Sequence, residues 1–243
     1  MFVIAVLTAC LPVTAQELTS SHINKVDAQG RRQGYWKVYD GIGELKFEGQ
    51  FVNGKPVGEF IYYHPNGRKK AIVMNIDSGR IVYSKIFHPN GNPMAVGKYI
   101  DQKKDSLWRY FSEEDGTLLS EEIYSEFKKD GVWRTFFHDG KVAEEITYRN
   151  DVKEGPWVTY FTTGDVKSTG TYMNDLLEGR FVIYHLNGKI GVSGTYKASK
   201  KDDTWVYLDE EGQLEEKEFY RKGTLVRAEG PGKQKLQGEK NSK

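Results

Sequence analysis

Cysteine is nearly absent from this chain: Cys10 is the only one in 243 residues. Proline is scarce, with seven residues, and neither sign of charge dominates, with 35 Lys and Arg against 34 Asp and Glu. The balanced charge leaves no global field to steer nucleic acid or an anionic membrane toward the protein. The one continuous apolar or neutral run, Phe2 to Leu11, is shorter than the roughly 20 residues that span a bilayer. Several catalytic signatures are missing as well. There is no Gly-x-Ser-x-Gly elbow, no phosphate loop and no His-Glu-x-x-His.

The ends of the chain carry their own signals. The run Phe2–Leu11 leads into Pro12-Val13-Thr14-Ala15-Gln16, where small residues at Val13 and Ala15 suit signal-peptidase cleavage after Ala15. Residues 1–15 therefore read as a signal peptide, although only the Met1 amino group supplies positive charge. The protein is expected to be exported, to a periplasmic or cell-envelope location. Leu7-Thr8-Ala9-Cys10 resembles a bacterial lipobox, so Cys10 is a candidate lipidation site and the one expected route to a membrane tether. Cleavage after Ala15 would instead leave no cysteine for a disulfide, a thiol nucleophile or a metal. Residues 16–33 form a lead-in. Residues 227–243, rich in Gly, Lys, Gln and Asn and lacking aromatics, read as a disordered basic tail.

Glycine and aromatic residues are what the chain has in plenty: 26 Gly, 15 Tyr, 12 Phe and 5 Trp. They recur in phase. Gly43, Gly67, Gly91, Gly116, Gly140, Gly164, Gly188 and Gly212 are spaced by 24 residues, with one gap of 25 that an extra residue in Ser112-Glu113-Glu114-Asp115 explains. Seven residues ahead of these glycines, eight in the unit with the extra residue, stand Trp36, Phe60, Ser84, Trp108, Trp133, Trp157, Phe181 and Trp205. Every tryptophan of the chain occupies this one position. Eight residues after the glycines come Phe51, Asn75, Tyr99, Tyr124, Tyr148, Tyr172, Tyr196 and Tyr220. In a unit such as Gly155-Pro156-Trp157-Val158-Thr159-Tyr160-Phe161, alternate residues fall on alternate faces of a strand. His64-Pro65-Asn66-Gly67 and His88-Pro89-Asn90-Gly91 supply turn chemistry, with Asn and Gly expected at positive φ. Asn53-Gly54, Asn150-Asp151 and Asn174-Asp175 supply the return turns.

The pattern predicts an all-β fold: an elongated antiparallel sheet of about eight consecutive β-hairpins over residues 34–226. Sixteen strands at about 4.8 Å would give a body roughly 75 Å long. Trp and Tyr positions would alternate as one aromatic ladder, each buried ring contributing roughly 1.5–3 kcal/mol.

Gly34-Tyr35-Trp36…Tyr39 with Gly43, Gly49, Phe51, Asn53-Gly54 and Gly58 resembles a MORN repeat, in particular the bacterial variant grouped with YwqK-type antitoxin proteins. Gly131-Val132-Trp133, Gly155-Pro156-Trp157 and Gly179-Arg180-Phe181 repeat the resemblance. It implies a scaffold, a membrane-associated protein or a toxin-neutralising protein. Some MORN-bearing enzymes add a catalytic domain, but no segment outside the array is long enough for one here.

No catalytic centre, cofactor or metal site is expected. His64, His88, His138 and His185 flank turn glycines, but equivalent positions in successive hairpins lie about 9.6 Å apart. Two nitrogens on one zinc are at most about 4.2 Å apart. The carboxylate pairs, such as Glu144-Glu145, point to opposite faces and do not converge. The ladder is interrupted at Asn75 and Ser84, which should be neighbours. This gap, with Tyr83, is the candidate binding site: a polar pocket or hinge, unless Met74, Ile76, Ile81 or Tyr83 fills it. The leading expectation is a non-catalytic exported scaffold for an unknown protein partner, without nucleic acid. The alternatives are a toxin-neutralising protein and a cell-wall or carbohydrate-binding module, the latter requiring exposed tryptophans.

Overall fold

The computed structural model describes residues 23–231; the expected signal peptide at 1–15, Cys10 and most of the segment 227–243 lie outside them. The described residues form one open antiparallel sheet in which each strand pairs with its neighbours in sequence. Eight hairpins make up its body. They are β2 (Arg32–Tyr39) with β3 (Leu45–Val52), β4 (Lys55–Tyr63) with β5 (Lys69–Ile76), β6 (Ile81–Phe87) with β7 (Pro93–Ile100), and β8 (Lys103–Phe111) with β9 (Leu118–Ser125). The fifth joins β10 (Lys128–Lys129) and β11 (Gly131–Phe136) to β12 (Val142–Arg149), and the sixth pairs β13 (Val152–Tyr160) with β14 (Val166–Met173). The seventh joins β15 (Leu176–Leu177) and β16 (Gly179–Tyr184) to β17 (Ile190–Lys197), and the eighth pairs β18 (Lys200–Leu208) with β19 (Leu214–Arg221). The sheet runs past the expected 34–226 at both ends. A short β1 (Lys25–Val26) pairs with β2, and β20 (Thr224–Glu229) takes its register from β19.

The two edges of this ribbon use different turns. At the return turns, both central residues have positive φ: Asn53 and Gly54 at 50° and 77°, Asn150 and Asp151 at 51° and 72°, Asn174 and Asp175 at 51° and 65°. These values match the type I′ hairpin, whose twist suits its strands. At the opposite edge the expectation of paired positive φ fails. Gly67 (φ 77°) is left-handed while Asn66 is not, and the Asn66 Oδ1 instead accepts the Arg68 N–H. Asn66 thus closes a local side-chain turn before the left-handed glycine, the wider three-residue type of hairpin. Asn90, Asp139 and Asn187 act in the same way. The extra residue near Gly116 is absorbed in this loop, where the Gly116 N–H reaches back to Ser112 rather than three residues.

A second backbone device sits two residues before each tryptophan position. Gly34, Gly58, Gly131, Gly155 and Gly179 hold φ between 66° and 116°, and Ser106 and Asp203 hold 60° and 57°. Six of these seven units carry a register shift or a split first strand on the side facing the preceding hairpin. These are bulges, which locally disrupt the ladder. The indole Nε1–H of Trp108, Trp133 and Trp205 donates to the carbonyl ten residues back, of Lys98, Ile123 and Thr195, at 3.0, 3.0 and 3.2 Å. The indole N–H thus adds a side-chain hydrogen bond beside the bulge; at Ile123 the carbonyl also accepts the Asp130 N–H.

Candidate functional site

The rings all fall on one face, but they are not buried equally, and the reason lies on the preceding strand. Phe60 packs over Gly49, Trp108 over Gly97, Trp205 over Gly194, and Phe181 over Gly170. A Cβ at Gly97 or Gly194 would lie 2.2 Å from a ring carbon of Trp108 or Trp205, and one at Gly49 would lie 2.4 Å from Phe60. At the tryptophan position these four are the buried rings, at 1%, 1%, 2% and 9% exposure for Phe60, Trp108, Trp205 and Phe181; at the second ring position Phe51 is buried too, at 7%. Where that seat is Glu122 or Ile146, the rings above it, Trp133 and Trp157, are only half-buried. Trp36 has no hairpin before it and is also half-buried.

Cations complete the face. Four residues before each tryptophan stands Arg32, Lys104, Lys129, Lys153 or Lys201, whereas Phe60 and Phe181 have Pro56 and Leu177 there. The Lys201 Nζ lies 4.4 Å from the Trp205 ring centre and 4.8 Å from that of Tyr220; Lys129 sits 4.3 Å from Trp133 and 5.0 Å from Tyr148. Such contacts contribute about 0.5–2 kcal/mol, most where water is excluded. Trp108 and Trp205 present no open face on which a sugar could stack.

The ladder expected as one continuous series is broken into runs. Trp36, Phe51 and Phe60 touch in sequence at 6.1 and 5.1 Å between centroids. Tyr99 meets Trp108 edge-on at 4.6 Å, Trp133 bridges Tyr124 and Tyr148, and Trp157, Phe181, Tyr196 and Trp205 form the last run, with Tyr172 against Trp157. Lys104 spans the step from Trp108 to Tyr124, and Lys201 that from Trp205 to Tyr220.

At Asn75 and Ser84 the break is of another kind. Val82 occupies the position that is left-handed in the other units, and β5 and β6 pair without a register shift. A β-branched residue is a poor candidate for positive φ, so here the bulge and the ring are both missing. The return turn is a 3-10 turn, Asp77–Gly79, instead of a two-residue turn. A groove of about 790 Å³ opens over this region, walled by Phe47, Tyr62, Tyr99, Val73, Val82 and Ile86. Asn75 and Ser84 lie in it, as the sequence pattern suggested, and Lys46, Lys70 and Gln102 also line it. Tyr83 does not belong to this site. Strand alternation places it on the opposite face, 52% exposed, where it pairs across strands with Met74. Met74 and Ile76 are likewise exposed, and Met74 borders a hollow of the opposite face together with Tyr83, Ile72, Val96 and Leu107. Elsewhere that face carries ion pairs, including Lys37–Glu48, Arg109–Glu121 and Arg134–Glu145.

The histidines are staples. His64, His88 and His185 place Nε2 2.9–3.2 Å from the carbonyls of Phe87, Phe111 and Leu208, each 23 residues ahead. A carbonyl only accepts, so Nε2 carries the proton. Asn66, Asn90 and Asn187 reach the next turn at the same stride. The carboxylate pair Glu144-Glu145 diverges: Glu144 accepts the Trp157 indole N–H at 2.6 Å, while Glu145 accepts from Arg134 and Tyr160 on the other side.

Several carboxylates are tied to the fold in their ionised form. Burial would raise Glu48, but hydrogen bonds from Tyr63, Tyr35 and Lys37 outweigh it and hold it below the usual glutamate range. The same carboxylate, with burial as the larger cause, pushes Tyr35 up to about 12. Glu218 is opposed by burial in the same way and is lowered by Tyr207, Tyr220 and Lys201. A depressed folded-state pKa stabilises the fold fully above the unfolded value, here 4.5, and that contribution disappears as pH falls through the folded value. Urea midpoints are therefore expected to fall as pH drops from about 5 toward 3, and Glu48→Gln should flatten that slope. A slope identical to the parent's would show that Glu48 contributes nothing to acid sensitivity.

The fold and its ring-bearing face define a β-hairpin repeat array. Within it, residues 129–150 and 153–174, two adjacent units, match the MORN repeat variant family; MORN repeats are generally associated with protein or membrane binding. No curated protein matches the chain. Among solved structures it is similar to TarM, with 17% identity over 39% of this chain and a TM-score of 0.28, and to the Tc holotoxin pore of Photorhabdus luminescens, with 11% identity over 82% and a TM-score of 0.25. It spans 20% and 13% of those chains. A porin-like protein from Bacteroides uniformis is similar at 7% identity and a TM-score of 0.17, over 79% of this chain and 91% of that one.

Proposed function

We propose that the protein is a non-catalytic, exported scaffold that binds another protein through the ring-bearing face of its sheet. The observation that carries this reading is the groove at Asn75 and Ser84. It is a wide, largely apolar hollow on a face whose other units are closed by their own rings and cations. Large apolar surface left open in this way is the usual mark of an interaction site. The end strand β20 adds a second feature, because Leu225 and Val226 are exposed on a strand with no outer partner among the described residues. Such an edge can accept an added strand. Neutralisation of a toxin would be one instance of the same protein binding.

The test is photo-crosslinking of the whole chain, expressed from Met1, with a reactive residue placed in turn at Lys46 and at the exposed Ile42. A defined protein captured from Lys46 and absent from the Ile42 control is the expected result, in the cell-envelope fraction. Failure to capture any protein from either position, or from β20, would overturn the scaffold reading.

A further inference from the structure

The groove also states what it takes. We infer that it receives an aromatic side chain of the partner, a tryptophan or tyrosine, lying in a segment rich in carboxylates. This rests on the protein-binding reading and adds the identity of the bound group. Two consecutive ring positions are vacant, one on β5 and one on β6, between Phe60 on one side and Tyr99 with Trp108 on the other. The space is ring-sized because the repeat holds rings there in the other units. It has not been refilled from within, since Met74, Ile76 and Tyr83 are directed elsewhere.

The floor is polar and incompletely paired. Ser84 is only 6% exposed, yet its hydroxyl has no hydrogen-bond partner among the described residues. Asn75 donates through Nδ2 to the Gly58 carbonyl at 3.2 Å, which leaves its Oδ1 as an acceptor. An indole N–H or phenol O–H entering among Phe47, Tyr62 and Tyr99 would find those acceptors, while its ring gained edge and face contacts with the walls. A plain aliphatic side chain would leave them unmet. At the rim, Lys46 and Lys70 form no ion pair among the described residues, and none of the described carboxylates lines the groove. This contrasts with the opposite face, where cations are paired. Two unpaired ammonium groups favour carboxylates beside the inserted ring.

The probes are three blocked pentapeptides titrated into the whole chain by calorimetry: Glu-Asp-Trp-Glu-Asp, the same with Ala for Trp, and the same with Lys for each acid. The acidic tryptophan peptide should bind, and each of the others should bind about tenfold more weakly or worse. Ser84→Trp restores the missing ring and should abolish binding without lowering the unfolding midpoint; Trp133 and Trp157 show that a ring is accommodated over a seat that is not glycine. If Ser84→Trp fails to fold, the double variant Lys46→Glu with Lys70→Glu replaces it and should reverse the preference toward the lysine-bearing peptide. Equal binding of the three peptides, or undiminished binding to Ser84→Trp, overturns the inference. A partner captured by crosslinking that binds Ser84→Trp as well as the parent would remove this site and leave the scaffold standing.

Discussion

Gly97→Ala should destabilise the protein by about 1–3 kcal/mol, the range for forcing extra volume into a packed position. The sign is the informative part. Gly97 does not have positive φ, and in an extended strand alanine is ordinarily better than glycine by about 0.5–1 kcal/mol. Here the new methyl would stand 2.2 Å from Cδ2 of Trp108, so either the indole or the strand must move. The displaced ring would lose its contact with Tyr99 and its hydrogen bond to the Lys98 carbonyl. In a Trp108→Ala background the obstruction is gone, and Gly97→Ala should then be neutral or stabilising. Gly170→Ala is the graded control: its Cβ would meet Trp157 and Phe181 at 3.2 and 3.3 Å, a crowding that a shift of a few tenths of an ångström relieves. Urea unfolding of the four variants decides the matter. If Gly97→Ala stabilises the parent chain, glycine is not there for the ring.

Trp108→Ala is expected to cost about 3–5 kcal/mol, and Trp133→Ala distinctly less. Both rings occupy the same place in their units, and both donate an N–H to a carbonyl ten residues back. They differ in what lies beneath. Gly97 lets Trp108 sink to 1% exposure, whereas Trp133, over Glu122, stays only partly buried. Truncating Trp108 removes a fully buried indole and also its hydrogen bond to the Lys98 carbonyl. Measured by the loss of the cooperative urea transition, equal costs for the two variants would contradict the link between glycine seat and ring burial.

The hairpins and their rings were legible in the sequence because one residue class recurs at one offset: the tryptophans all fall at a single position, and the turn glycines keep the phase. The seats were not. Their positions hold Gly49, Val73, Gly97, Glu122, Ile146, Gly170, Gly194 and Glu218, a mixture with no common chemistry. They acquire meaning only when pairing brings them beneath the next strand's ring position, which is empty over Val73 and absent over Glu218. The cations four residues before each tryptophan did recur, but among many other charged residues. The vacancy at Asn75 and Ser84 could be read as a missing pair of rings. That it is an open groove depends on Val82, whose branched side chain disfavours the left-handed backbone of the other units and keeps β5 and β6 in plain register. Placing Tyr83 in the gap overlooked the strand alternation that separates it from Ser84.

Because each strand binds only the strands beside it in sequence, the molecule has no centre. Adding or deleting one 24-residue module would replace one seam by another of the same strand pairing, with the seat and ring of its own units, and leave the distant modules undisturbed. The additional residue at Ser112–Asp115 already illustrates this tolerance, since the phase resumes one loop later. A protein assembled this way can change its length and the placement of its vacant site independently, so its reach toward a target becomes a matter of counting modules.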